Sequence, residues 1–289
     1  MSIRAHLALA LMLPLVLIGG LMAAGIKLPV PQWGREYVLR LFMPDPASAS
    51  PLPTIYGPAN PARPLVVIDA GHGGRDPGAV GVGIREKDVT LGLALALRDE
   101  LVRQGGVRVA LTREDDRLLA LADRPGIARR LGADLFVSIH ADSAGEKSGV
   151  SGASLYTLST TASSAAAARF ARRENAADEL NGVSIAGQTE QVSAILVELS
   201  QRRAQGESLE FAALVEREGN GRLIFHPQTL RSADLVVLRS PDLPSVLFEA
   251  GFVTNEADAA RLTSPEWKAG FAETMARSIR IHFLRQDGS

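Results

Sequence analysis

Apolar and polar residues follow three regimes along the chain. Leu7 to Ile26 carries no charged side chain and follows Arg4. That run is about the length that crosses a bilayer. From 27 to 63 the pattern is broken by Pro29, Pro31, Pro44, Pro46, Pro51, Pro53, Pro58 and Pro61. Proline at that density breaks regular elements, so the stretch reads as a linker. Beyond it, short apolar runs alternate with segments of helical period. Leu65-Val66-Val67-Ile68 is a continuous apolar run, the pattern of a strand covered on both faces. Val89, Leu93, Leu97 and Leu101 form one stripe of a helix beginning near Asp88 and stopped by Gly105-Gly106. Val107–Leu111, Asp134–His140, Ala153–Leu158, Leu235–Leu238 and Val246–Phe248 read as further strands. Leu119–Leu131 reads as a second helix, and a C-terminal helix starts near Ser264-Pro265-Glu266. Strands alternating with helices predict an α/β fold: an open, largely parallel twisted sheet flanked by helices.

One stretch interrupts the alternation. Residues 160–231 are rich in Ala, Glu, Arg and Gln, with helical spacing at Val192, Ile195, Leu196 and Leu199 and again at Leu209, Ala212 and Ala213. The expectation is two helices with a loop between Gly182 and Gln188. An excursion of that length is either functional or an ordinary helical connection. The domain reading is therefore 1–26 as signal peptide or membrane anchor, 27–63 as linker, and 64–289 as one catalytic domain with a helical insertion at 160–231.

Composition narrows the chemistry. The net charge of −1 gives no electrostatic case for a nucleic-acid partner. The chain has no cysteine, which excludes disulfides, thiolate metal sites and a cysteine nucleophile. A transition metal must then be held by His, Asp or Glu. Of the five histidines, His6 lies at the N-terminal apolar segment, while His72 and His140 each follow a buried strand. Ligands of open α/β sheets bind beyond the carboxyl ends of the strands, so this pair suits a metal. Glu86 follows a loop containing Gly73, Gly74, Gly78, Gly81 and Gly83, which can fold back toward His72. By spacing alone it is equally a helix-start carboxylate favoured by the dipole. Two His and one Glu would leave an open coordination position, the pattern of a hydrolytic site. Glu249, at the end of Val246-Leu247-Phe248, is the carboxylate left to act as proton acceptor.

Five blocks then carry a resemblance: Ile68–Ala79 around Gly71-His72-Gly73-Gly74, Glu86-Lys87-Asp88, Leu111-Thr112-Arg113, Ala133–Asp142 and Pro244–Asn255. In order and spacing, from Leu65 to Phe283, they resemble the zinc N-acetylmuramoyl-L-alanine amidases of the amidase type 3 group. The resemblance implies one zinc ion per chain on His72, Glu86 and His140, with Glu249 catalytic. It implies cleavage of the peptidoglycan amide between N-acetylmuramic acid and L-alanine, in wall turnover and daughter-cell separation. Asp69 and Asp142 are candidates for fixing the histidine rings or for capping loops. The insertion resembles the regulatory segment of septal-division amidases. There an inhibitory helix covers zinc until a LytM-domain activator displaces it. Glu174, Glu179 and Glu190 are the candidate inhibitory carboxylates, unranked. The short linker departs from relatives that carry a wall-targeting domain. Ala250 stands where they often have a larger residue. The N-terminus implies export to the periplasm, with residues 7–26 a cleaved signal or an inner-membrane anchor. Two other readings compete: a catalytically silent wall-binding module of the same fold, and a zinc peptidase acting on another wall amide.

Overall fold

The computed structural model describes residues 52–145, 149–180 and 194–286, with the backbone alone at 179–180 and 194–200. The N-terminal apolar segment and most of the linker lie outside these residues. Among the described residues, no helix is long and apolar enough to cross a membrane.

Among the described residues, eight strands and seven α-helices follow one another: β1 (Leu65–Ala70), β2 (Val80–Gly81), β3 (Ile84–Arg85), α1 (Glu86–Gln104), β4 (Arg108–Leu111), α2 (Asp123–Arg130), β5 (Leu135–His140), β6 (Ala153–Leu158), α3 (Ala165–Asn175), α4 (Ala177–Leu180), α5 (Ala194–Gly219), β7 (Phe225–Ala233), β8 (Ser245–Glu249), α6 (Glu256–Thr263) and α7 (Pro265–Gln286). Six strands form one sheet in the order β4-β1-β5-β8-β6-β7. All neighbours run parallel except β6 and β8. The α/β expectation of a largely parallel sheet holds.

The apolar runs are continuous because both faces of the sheet are covered. Val66, Ile68 and Ala70 point into a core shared with Leu93 and Leu97 of α1, Phe211 of α5, and Phe271 and Met275 of α7. Leu65 and Val67 point the other way, toward Ala128 of α2 and Phe170 of α3. This is the period of two that alternates strand side chains between faces. α1 ends where expected: Gly105, at φ 69°, donates its N–H to Leu101 O.

Three expectations need correction. Leu235–Leu238 is not a strand; Val236–Leu238 is a 3-10 turn. The strand that pairs with β6 is Phe225–Ala233, inside the stretch expected to be helical. Its Pro227 and mixed polarity suit an edge strand, where a missing N–H costs no ladder bond. Leu209 and Ala213 face solvent, and the buried face of α5 runs through Ala204, Ser208, Phe211, Ala212 and Val215. α3, α4 and α5 together form the crossover between parallel β6 and β7. α3 lies on one face of the sheet and α5 on the other. The loop expected at Gly182–Gln188 lies outside the described residues. At the linker's end, Tyr56 exchanges both backbone hydrogen bonds with Val109 of β4, at 2.8 and 3.0 Å.

Candidate metal centre

The chain after β1 returns along α1 to β4, on one side of β1, then along α2 to β5 on the other. The crevice between the carboxyl ends of β1 and β5 is thus the topological switch point of the sheet. His72 lies just past β1 and His140 ends β5. Their ring centroids are 5.0 Å apart with the planes at 76°. His72 sits at φ 60°, one of two non-glycine residues with positive φ among the described residues. That conformation costs about 1–2 kcal/mol for an L-residue with a Cβ. Such strain persists only where surrounding contacts enforce it.

Glycine makes room for the rings. A Cβ on Gly71 would lie 2.6 Å from His140 Cε1, and one on Gly78 would lie 2.6 Å from Glu86 Oε2 and 2.7 Å from His72 Cδ2. The rings and the carboxylate therefore pack directly on bare backbone.

Glu86 reaches the pair because the β2–β3 hairpin turns the glycine loop back on itself. α1 begins at Glu86, two residues earlier than expected. Its Oε1 lies 3.0 Å from His140 Nδ1, and its Oε2 lies 3.2 Å from His72 Nε2. Ala141 N donates to Oε1 and Ala79 N to Oε2, at 2.9 and 2.8 Å. The dipole-favoured helix start and the place beside the histidines are both true of this residue.

A second carboxylate arrives from the insertion. Glu174, near the end of α3, lies with Oε2 3.1 Å from His140 Nδ1 and 3.5 Å from His72 Nε2. Its side chain is buried. His72, His140 and Glu174 offer ligand atoms all within 4.8 Å of one another. His72 Nε2 and Glu174 Oε2 are buried and make no hydrogen bond. Orphaned buried polar atoms are rare and call for an explanation, and a shared cation supplies one. Two imidazoles with carboxylates match the donor set of zinc, whose ligands at about 2.0–2.2 Å would stand within this spread of one another. The residues fit a metal. Of the other candidate inhibitory carboxylates, the Glu179 side chain and the whole of Glu190 lie outside the described residues.

Glu249 ends β8, in register with His140. Its Oε1 accepts from Asp142 N at 2.6 Å, while Oε2 is buried without a hydrogen-bond partner. Burial, then the charges of Asp142 and Glu86, holds this carboxyl well above its ordinary range. The histidines respond oppositely. Burial opposes their charge, but Glu174 and Glu86 outweigh it and push His140 up to about 10. The Glu86 charge, the hydrogen bond to Asp76 and the nearby Glu174 carboxylate likewise raise His72 despite its burial. Burial is again outweighed at Glu174, where His140 and His72 bring the carboxyl down to about 2. The site is a nest of opposite charges in which bound protons on histidine stand where a cation would be welcome.

The groups around the rings were only partly anticipated. Asp76, not Asp69 or Asp142, fixes a histidine ring: its Oδ2 lies 2.8 Å from His72 Nδ1. Its position four residues after His72, within the glycine loop, was the available signal. Asp69 accepts from Thr112, Ser138 and Arg124 at 2.6, 2.7 and 2.9 Å and touches no histidine ring by hydrogen bond. Asp142 caps its own loop through Ser143 N at 2.5 Å and pairs with Arg173 of α3.

α3 and α4 cover this crevice. Asp178 accepts from Leu121 N at 3.0 Å, and Asn175 bonds Asp234 O and Val236 N at 2.7 and 2.9 Å. A cavity of about 10 Å³ remains beneath them, lined by His72, His140, Arg124, Leu121 and Asp178 among others. That is room for about one water.

Residues 66–280 match the family model described as N-acetylmuramoyl-L-alanine amidase. The N-acetylmuramoyl-L-alanine amidase AmiC of Escherichia coli O6:H1 is 35% identical over 241 residues, covering 82% of this chain and 57% of that protein. AmiA of Salmonella typhimurium is 36% identical over 224 residues, 77% of each chain. The solved structure of the amidase AmiC2 of Nostoc punctiforme superposes with a TM-score of 0.57 at 29% identity, covering 76% of this chain and 97% of that one. The switch-point histidines, the carboxylates beside them and these matches lead to one assignment: the chain belongs to the N-acetylmuramoyl-L-alanine amidase family of type 3, hydrolases of cell-wall peptidoglycan.

Proposed function

We propose that this chain hydrolyses the amide between N-acetylmuramic acid and the L-alanine of the stem peptide, with one zinc ion on His72, Glu86 and His140. The observation that carries the reading is the buried group of two histidines facing two carboxylates, with Glu249 beside it holding one oxygen unbonded. When bound, zinc supplies Lewis acidity toward the scissile carbonyl and a water. Glu249 takes the proton of the attacking water and returns it to the leaving nitrogen, so that L-alanine departs as a neutral amine. Glu249 Oε2, buried and without a hydrogen-bond partner, is the oxygen free to take that proton. Asp76 orients His72 through Nδ1, leaving Nε2 for the metal.

Glu174 takes the position that substrate and water need, so the chain rests in a closed state. A LytM-domain activator opens it by binding better to the state in which α3 has left the crevice. Export to the periplasm, through residues 7–26 as signal or inner-membrane anchor, brings the enzyme to the wall.

Incubating zinc-loaded protein with purified sacculi tests the reading, with and without the Glu174→Ala substitution. New amino termini on L-alanine are expected. Termini appearing only on D-residues would favour a zinc peptidase of another wall amide. No release from either form would favour a silent binding module.

A further inference from the structure

Arg113, two residues past the end of β4, is among the largest fully buried side chains, with no exposed surface. None of its hydrogen bonds goes to a carboxylate; four go to backbone carbonyls. Nε donates to Ala70 O at 2.9 Å, Nη2 to Gly71 O at 2.8 Å and to Lys87 O at 2.9 Å, and Nη1 to Asp115 O at 3.0 Å. Nη2 also meets Thr90 Oγ1 at 3.2 Å, and that hydroxyl donates to Gly71 O at 2.8 Å. The acceptors are not scattered. Ala70 and Gly71 are the two residues before His72, and Lys87 is the residue after Glu86. A buried, fully charged guanidinium is costly to desolvate, and here that cost is offset by donors placed on four backbone carbonyls. Burial, then repulsion from Arg124, lowers this guanidinium to about 10, still charged at neutral pH. The charge is kept for something that needs several donors in one rigid plane.

We propose that Arg113 is a positioning residue for the metal centre: its guanidinium sets the spacing between the backbone that carries His72 and the backbone that carries Glu86. These two segments come from different elements and share no strand pairing. His72 is also held out of ordinary backbone geometry, so the turn would relax without donors on its carbonyls. Arg124 completes the hold on the same turn, donating to Ala70 O at 2.8 Å and to His72 O at 3.0 Å. Thr90 Oγ1 on Gly71 O and Lys87 Nζ on Gly74 O, at 2.8 and 2.7 Å, also tie the turn to the start of α1, but Arg113 is the group that bonds the residues before His72 and the carbonyl after Glu86 from one rigid plane.

This inference rests on the metal reading, and the test separates the two. Zinc affinity is measured by competition with a chromophoric chelator at fixed pH, on the full chain, beside the thermal midpoint of the metal-free protein. Arg113→Lys keeps the charge but cannot span the carbonyls. Its affinity should fall by about 10- to 100-fold, the range for partners behind metal ligands. Ile279→Ala, in the core of α7 with no exposed surface, serves as the control for stability. It should lower the midpoint while leaving affinity within about twofold of the parent, because a cavity in a remote core does not reach the ligands. Thr90→Val, which keeps shape and removes the hydroxyl, should give a drop of about fivefold, equivalent to a neutral hydrogen bond of about 1 kcal/mol, and guards against an unfolded Arg113 variant. A parent that binds no zinc overturns the metal reading itself. A parent that binds zinc while Arg113→Lys and Thr90→Val bind it equally well overturns the positioning role. Equal losses in Ile279→Ala would overturn it too, since the effect would then be general destabilisation.

Discussion

His72 and His140 stand on strand ends whose backbone is buried on every side, whereas Glu174 stands on a helix whose outer face, with Arg169, Arg172 and Arg173, is open to solvent. Both halves contribute ligand atoms to one buried group whose members lie within 4.8 Å of one another. The strand half is held by carbonyls and amides bonded to buried side chains, so moving it means breaking the sheet. The α3 half is held by Phe170, Ala167 and Ala171 on the sheet, by the Arg173–Asp142 pair, and by Asp178 and Asn175 on neighbouring loops. The proposed switch requires these contacts to break while the sheet stays intact. A centre with one fixed wall and one detachable wall is suited to switching.

The comparison breaks most decisively at the fixed wall. Glu249→Gln should retain zinc and lower cleavage of sacculi by about 10²- to 10⁴-fold, the range for loss of a general base; loss of metal from the variant would make Glu249 a ligand instead. Asp76→Asn should weaken zinc by about 10- to 100-fold in chelator competition. At the detachable wall, Glu174→Ala removes charged contacts of about 1.5–3 kcal/mol. At about 1.4 kcal/mol per tenfold, activator-independent release should rise by about tenfold or more. A rate no higher than the parent's would count against closure by α3. This substitution is a cleaner test than deleting 161–220, because that deletion also removes Phe211, Ala212 and Val215 from the core.

Acidity distinguishes metal-free from loaded protein. In the metal-free chain His140 holds its proton up to about 10. A histidine raised in the folded state contributes stability that is complete below about 6.5 and lost as pH rises through its folded value. Glu249, also raised, acts in the same direction. The thermal midpoint of the metal-free protein should therefore fall between about pH 6.5 and 10, by differential scanning calorimetry. The zinc-loaded protein, whose histidines are already deprotonated, should show a flatter profile. The smallest effect belongs to Arg173→Ala. Its pair with Asp142 is half exposed on the arginine side, so about 0–1 kcal/mol is at stake. Basal release should rise no more than about fivefold.

Much of the fixed wall was legible in the sequence, and little of the detachable one. Apolar runs ending in His72, His140 and Glu249 place those residues at strand tips before any coordinates are known. Glu86 was ambiguous because its reach depends on a hairpin of two-residue strands, too short to leave a periodic signal. The insertion carboxylates could not be ranked because the choice depends on which face of α3 meets the sheet. Phe170 and Ala171 take that face, which turns Glu174 inward one helical turn later. β7 was missed because an edge strand with proline and mostly polar residues lacks the apolar run of its neighbours. Arg113 and Arg124 were illegible as positioning groups, since a buried arginine bound to carbonyls leaves no pattern along the chain.

The pairing of Tyr56 with Val109 has a consequence for handling the protein. β4 is the outermost strand on its side of the sheet, and the linker occupies backbone groups that would otherwise face solvent. Unpaired strand edges are templates for association between chains. The phenol, bonded to Glu114 at 2.7 Å and lying beneath Arg98, pins that guard in place. A fragment trimmed to Pro64 would lose it and expose a sticky border, so preparations meant to stay monodisperse should retain the chain from Leu52 onward.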